Sequence, residues 1–203
     1  MHTQAKRTSR LPAWAAALSA VMAFSLAGVL IWFRGPSPMA ATAAPEVDRT
    51  NLVLREGRWY QVGRTNPFAG WLLDHGPDGL LLARSAISNG VLHGLSEGWH
   101  TNGQTQIREH FRDNVSDGPR EKWYANGQRQ SVANIVHGRV DGTFQRWHEN
   151  GQLAERIELK QGNPEGKAWA FYPSGYVRAE TETHAGEVLR RIHWEDGEKK
   201  STE

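Results

Sequence analysis

The 203-residue chain has no cysteine, three methionines and almost no excess of charge, with 24 Lys and Arg against 22 Asp and Glu. The absence of cysteine excludes a disulfide framework and attachment of a lipid through a cysteine thioether. The near-neutral balance is less basic than it looks. Lys6, Arg7, Arg10 and Arg34 supply +4 of formal charge, so residues 35–203 carry about −2. A nucleic-acid-binding domain shows a basic footprint, and here acidic and basic residues interleave, so no nucleic-acid partner is expected. Phosphate-cradling loops, dinucleotide fingerprints, HExxH helices and nucleophile elbows are missing as well. Neighbouring carboxylates such as Glu195 and Asp196 sit in loop and tail sequence with nothing to raise a pKa. No catalytic residue, cofactor or metal ligand is therefore expected, and the chain does not read as an enzyme.

Long apolar runs are also scarce, with one exception. Between Arg10 and Arg34 no residue is charged, and Ala13 to Phe33 is a 21-residue, mostly apolar stretch. As a helix it would span about 31 Å, enough for a hydrocarbon core of about 30 Å. Lys6, Arg7 and Arg10 precede it, and Trp14 and Trp32 lie near its ends. The positive-inside rule then predicts residues 1–10 in the cytoplasm, a transmembrane signal-anchor over 11–34, and everything after it on the extracytoplasmic side of an inner membrane. Cleavage after Ala41-Thr42-Ala43 is the alternative, and both readings put the rest of the chain in the same compartment. Residues 35–50, rich in Ala, Pro and Thr, read as an extended linker.

From there on the chain repeats. Gly94, Gly118, Gly142 and Gly166 are each followed five residues later by Trp99, Trp123, Trp147 or Phe171, and nine residues later by Gly103, Gly127, Gly151 or Gly175. The period is 24 residues, and Gly70 to Gly79 precedes in frame with His75 in the aromatic slot. A fixed period of this length means one supersecondary unit repeated into an array. The second glycines follow Asn102, Asn126 and Asn150, and Asn-Gly is the strongest short hairpin signal, so each unit is expected to be strand, two-residue turn, strand, longer loop. The fold class is thus all-β, with tandem hairpins forming an elongated antiparallel meander over residues 51–194 and a polar tail over 195–203.

These stretches resemble the MORN-variant repeat, whose unit runs glycine, short strand with an aromatic pair, Asn-Gly, return strand. Trp123-Tyr124 and Phe171-Tyr172 match the aromatic pair, and Gly57-Arg58-Trp59-Tyr60 with Asn66-Pro67-Phe68-Ala69-Gly70 is similar to the usual lead-in. Bacterial relatives of this type carry the label of YwqK-like antitoxins, so the resemblance implies a toxin-neutralising role as one alternative. It implies no active site, because the family is defined by scaffold residues.

Alternation suggests two faces. Counted from the first glycine, odd positions hold the ring residues together with Ile107, Phe111, Ala133, Ile135, Leu153, Ile157 and Leu159, and are expected to form a dry face of core residues. Even positions hold His100, Arg108, Lys122, Tyr124, Arg146, His148, Arg156 and Tyr172, the candidate binding face. His100 and His148 occupy one slot in alternate units, about 19 Å apart at ordinary strand spacing, too far for a shared metal ion. Tyr124 and Tyr172 fill the same slot in the other units, which reads as a flat amphipathic packing position. The expected role is a membrane-tethered, noncatalytic protein-binding or scaffolding module. Its partner is another protein, its membrane contact is the N-terminal helix, and self-association is open. Immunity against a toxin is the main alternative, and binding of cell wall or carbohydrate a lesser one.

Overall fold

A computed structural model describes residues 43–200. The expected cytoplasmic segment, the transmembrane anchor and the first part of the linker lie outside the described residues. Among the described residues there is no α-helix, and no helix is long and apolar enough to cross a membrane.

The chain forms β1 (Glu46–Asp48), a single 3₁₀ turn (Arg49–Asn51), β2 (Leu52–Arg55), β3 (Arg58–Gln61), β4 (Gly70–His75), β5 (Leu81–Ser88), β6 (Val91–Trp99) and β7 (Thr105–Arg112). It continues through β8 (Val115–Trp123), β9 (Arg129–Val136), β10 (Arg139–Val140), β11 (Gly142–Trp147), β12 (Leu153–Lys160), β13 (Asn163–Phe171), β14 (Val177–His184) and β15 (Glu187–His193). From β4 to β15 consecutive strands pair antiparallel in one long meander, with β10 as a short annex on β9. β1 closes the first edge by pairing parallel with β4, Val47 opposite Leu72. The sheet therefore begins at Glu46, inside the stretch read as linker. The reason is packing: Val47 joins Trp59 and Leu92 against a buried cluster of Leu52, Phe68, Leu72 and Ile87. The hairpin of β2 and β3 contributes Leu52 and Trp59 to it.

β1 is also fastened electrostatically. Asp48 accepts from the Thr50 side chain and backbone N–H, and lies 2.6 Å from His75 Nδ1. These hydrogen bonds, the Thr50 side chain first, hold its carboxyl at about 2 instead of the ordinary 3.8. A carboxyl whose pKa is depressed on folding stabilises the fold above its unfolded pKa and ceases to do so as pH falls through the folded value. Protection of the β1 amides, taken relative to their intrinsic exchange rates, should accordingly be high at neutral pH and fall selectively as pH drops from about 4 to about 2. An equal loss of protection in β8 would mean that Asp48 is not the fastening.

The turns are the reverse of the expectation. At Asn126-Gly127 the loop is not a two-residue turn: Gly127 N–H donates to the Tyr124 carbonyl, Tyr124 N–H donates to the Gln128 carbonyl, and Gly127 (φ +81°) has positive φ where Asn126 does not. The tight two-residue turns lie in the connections read as longer loops. His137-Gly138 has φ of +48° and +79°, and Arg139 pairs directly with Val136. Both central residues in the left-handed region is the twist-matched hairpin turn.

The two faces are also composed differently from the sequence expectation. Paired residues share a face, and the register sets Phe144 opposite Ile157, Lys122 opposite Ser131 and Ile107, and Arg120 opposite Ala133. The return-strand aliphatics thus share their face with Arg120, Lys122 and Arg146. An even number of residues separates partners such as Arg146 and Glu155, so odd and even exchange across each turn. The ring residues end on the other face: Trp169 pairs with Arg156, and the Arg108 guanidinium lies 5.8 Å from the Trp123 ring centroid. The Trp ladder and the aliphatic rows do not form one dry face.

The driest row runs beside the tight turns. Ile87, Phe111, Ile135, Leu159 and Thr183 recur at the repeat period, opposite Gly70, Gly94, Gly118, Gly142 and Gly166 respectively. Ile135 is 1% exposed, the most deeply buried large side chain described. Gly118, at φ +124°, holds a strand conformation that a side chain would strain, and a Cβ there would crowd the His110 Cβ at 3.1 Å.

Candidate functional site

The eight residues expected on one binding face divide among three places. His100, Tyr124, His148 and Tyr172 form a ladder along the Asn-Gly edge. Each is half-buried and reaches the main chain of the following unit: His100 Nε2 to the Trp123 carbonyl at 2.9 Å, Tyr124 Oη to Trp147 at 2.8 Å, His148 Nε2 to Phe171 and Tyr172 Oη to Trp194, both at 3.0 Å. A carbonyl only accepts, so each histidine carries its proton on Nε2. His and Tyr interchange in this slot because both hold one donor at the tip of a flat ring. The amphipathic packing position read from the sequence is a clasp between units.

A second ladder runs beside it. Asn102 Nδ2 donates to the Ala125 carbonyl, Asn126 to Glu149 at 3.0 Å and Asn150 to Pro173, while each Oδ1 accepts from its own turn's Gln104, Gln128 or Gln152 N–H. Asparagine is needed for this double hydrogen bonding, not for left-handed backbone. The sequence signal was present in the strict recurrence of Asn, and its usual meaning as a tight turn masked it. The ladder closes where Ser174 Oγ donates to Asp196. The segment from Trp194 to Lys200, expected to be a polar tail after Trp194, thus completes the last turn, and the Val177 N–H donates to the Lys199 carbonyl.

The tight-turn edge has its own fastening. Asp141 accepts from the Gln161 N–H at 2.9 Å, and Glu165 from the Ala185 N–H at 3.0 Å with His184 Nδ1 at 2.8 Å. The Ala185 N–H first, then His184, lower the Glu165 pKa. Nothing in the sequence analysis had singled out these acids.

The remaining four candidates lie on opposite faces. Arg108 and Arg156 stand on the indole face, where Glu97 pairs with Arg108 and Arg129 bridges Glu121 at 3.3 Å with its guanidinium 5.7 Å from the Trp147 ring. Trp71 carries Arg84 at 3.9 Å, and Trp169 carries Arg156 at 5.9 Å. Lys122 and Arg146 stand on the aliphatic face, Arg146 bridging Glu155 at 3.2 Å. Such half-exposed pairs contribute little stability each, so their charges are held in place more than consumed. Among the described residues no group of three His, Asp or Glu could hold a metal ion.

Set against known families, one stretch stands out. Residues 140–161 match the family model of the MORN repeat variant. That stretch is one complete structural unit, running from the end of β10 through β11, the His148–Gly151 turn and β12. No curated protein matches the chain. The MORN-variant unit so defined has the same clasps as its neighbours on both sides, with Tyr124 reaching into it and His148 reaching out.

The clasp can be tested by substitution. Tyr124→Phe removes a hydroxyl bonded to a half-buried carbonyl and should cost about 1 kcal/mol of stability. Tyr124→His should restore most of it, since histidine serves in the same slot at His100 and His148. Thermal melting of the three proteins decides: a histidine variant no better than phenylalanine would refute the clasp.

Proposed function

We propose that this protein is a noncatalytic protein-binding module, carried by an N-terminal membrane anchor with its repeats on the extracytoplasmic side. The observation that carries the reading is the division of labour in the sheet. The side-chain clasps that reach the main chain of the next unit run along the two edges, and between the recurring aliphatic and ring rows both broad faces carry charged and polar side chains that differ from unit to unit. A repeat array of this kind offers a long surface of interchangeable parts. The match to a MORN-variant unit supports a repeat-type binding module at the same coarse level. Placement at the membrane rests on the apolar stretch Ala13 to Phe33 and the basic residues before it.

Site-specific photo-crosslinking in intact cells tests this. A photoreactive amino acid at Arg108 samples the indole face and one at Arg146 the aliphatic face. The expected result is a discrete protein adduct from at least one of them, recovered in the membrane fraction. A toxin as the captured protein would make the module an immunity protein. Adducts to glycan alone, or none from either face in correctly folded protein, would overturn the protein-binding reading.

A further inference from the structure

The two ends of the sheet are finished differently. At the first end β1, the β2–β3 hairpin and the Leu52 cluster cover the margin. At the other, β15 pairs with β14 on one side only, and among the described residues nothing pairs with its outer edge. Residues 187–191 are all exposed, with Val188 at 53% and Leu189 at 65% the most apolar part of that rim. An open edge offers a row of main-chain donors and acceptors and recruits another strand.

We propose that β15 receives an extended acidic segment of a partner protein, added as the next strand of the sheet. The proposal rests on the reading of this domain as a protein-binding module and names one of its surfaces. Charge selects the occupant. Arg190 and Arg191 are exposed and bridge no carboxylate among the described residues, although Glu182 of β14 lies opposite Arg190, whereas Arg108, Arg120 and Arg146 inside the array each bridge a glutamate across the strand. In the interior the pattern is arginine on one strand and glutamate on the next, as in Glu97 with Arg108 and Arg120 with Glu109. β15 ends that sequence on the arginine side. Opposite charges across strands stabilise a pair, and like charges directly opposite destabilise it. A second copy overlapping the whole of β15 in antiparallel fashion would set Arg190 against its own twin, so a second copy is disfavoured. An incoming strand with carboxylates facing Arg190 and Arg191 and apolar residues near Val188 and Leu189 continues the interior pattern.

The test uses the full-length protein and two synthetic hexapeptides, one with two adjacent glutamates flanked on each side by a pair of valines, so that each face of the added strand carries a carboxylate, and one with lysines in place of the glutamates. Hydrogen exchange of β15 amides is followed with and without each peptide. The glutamate peptide should slow exchange in β15 and the lysine peptide should not. The charge-reversed protein R190E/R191E should show the opposite preference. A glutamate peptide interrupted by proline, which cannot supply the ladder, should lose the protection. The proposal fails if both peptides protect equally, if neither does, or if the proline peptide protects as well as the intact one. It also fails if the β15 amides that face away from β14 are protected without peptide, whether by the rest of its own chain at high dilution or by a second copy as concentration rises. Crosslinked partners at Arg108 or Arg146 alongside a negative peptide result would overturn the edge and leave the module reading standing.

Discussion

Replacing Ile135 with alanine is expected to lower the stability of the repeat domain by about 2–5 kcal/mol. A one-layer sheet has no opposing layer to bury a side chain, and yet Ile135 is 1% exposed. It lies opposite Gly118, in the row that contains Phe111 and Leu159 at the equivalent positions of the units on either side, so the row supplies the cover that a second layer would give elsewhere. Removing three methylene-sized groups there leaves a void that a regular register cannot close by local collapse. The neighbouring Val136 is 40% exposed, and its replacement by alanine should stay within about 0.5 kcal/mol. Urea unfolding of the two variants compares them directly. Equal midpoints would mean that the burial of the row is not what holds the central units together.

The second large effect is expected at Gly127. Two costs meet when valine is placed there. Its φ of +81° is strained for a β-branched residue, and its Cβ would fall on the carboxamide oxygen of Gln104 from the preceding unit. Gln104 is exposed and its amide sits at the end of a flexible side chain, so the contact can be relieved at little cost. The backbone strain cannot. Gly127→Val should therefore cost about 1–3 kcal/mol, and most of that should persist in a Gln104→Ala background. If the double variant recovers wild-type melting, the crowding and not the turn geometry was the constraint.

Much of this fold is legible in the sequence, and what is not has identifiable causes. The period, the number of hairpins and the scaffold glycines follow from spacing alone, because every unit must repeat the same register to pair with the next. Turn type is harder. Asn126-Gly127 has the composition of a two-residue turn, but the asparagine's hydrogen bond to the Glu149 carbonyl is a contact between units, invisible in any one of them. His137-Gly138 and Gln161-Gly162 hold the tight turns with residues that only their positions in the meander make suitable. The faces were misassigned for one reason: alternation within a strand is local, whereas parity across a turn depends on the loop and on the bulge at Trp123 or Trp147. Of the candidate site residues, the histidines and tyrosines at the clasp were recognised as equivalent from their interchange. Their acceptors, roughly one repeat away along the chain, required the pairing.

The clasps also set how this architecture can change length. His100, Tyr124, His148 and Tyr172 each reach a carbonyl 22 or 23 residues further along, so each unit is written in the same terms as its neighbours. Excising residues 118–141 as a block would leave His100 facing the Trp147 carbonyl in the place of Trp123. Excising residues 118–129 alone would set Ile135, on a strand that runs the other way, in the place of Trp123. Length in such a chain is counted in whole units. At the two ends the slot is filled by Gly76 and Glu195, neither of which has a side-chain donor, so the count also has a marked beginning and a marked end.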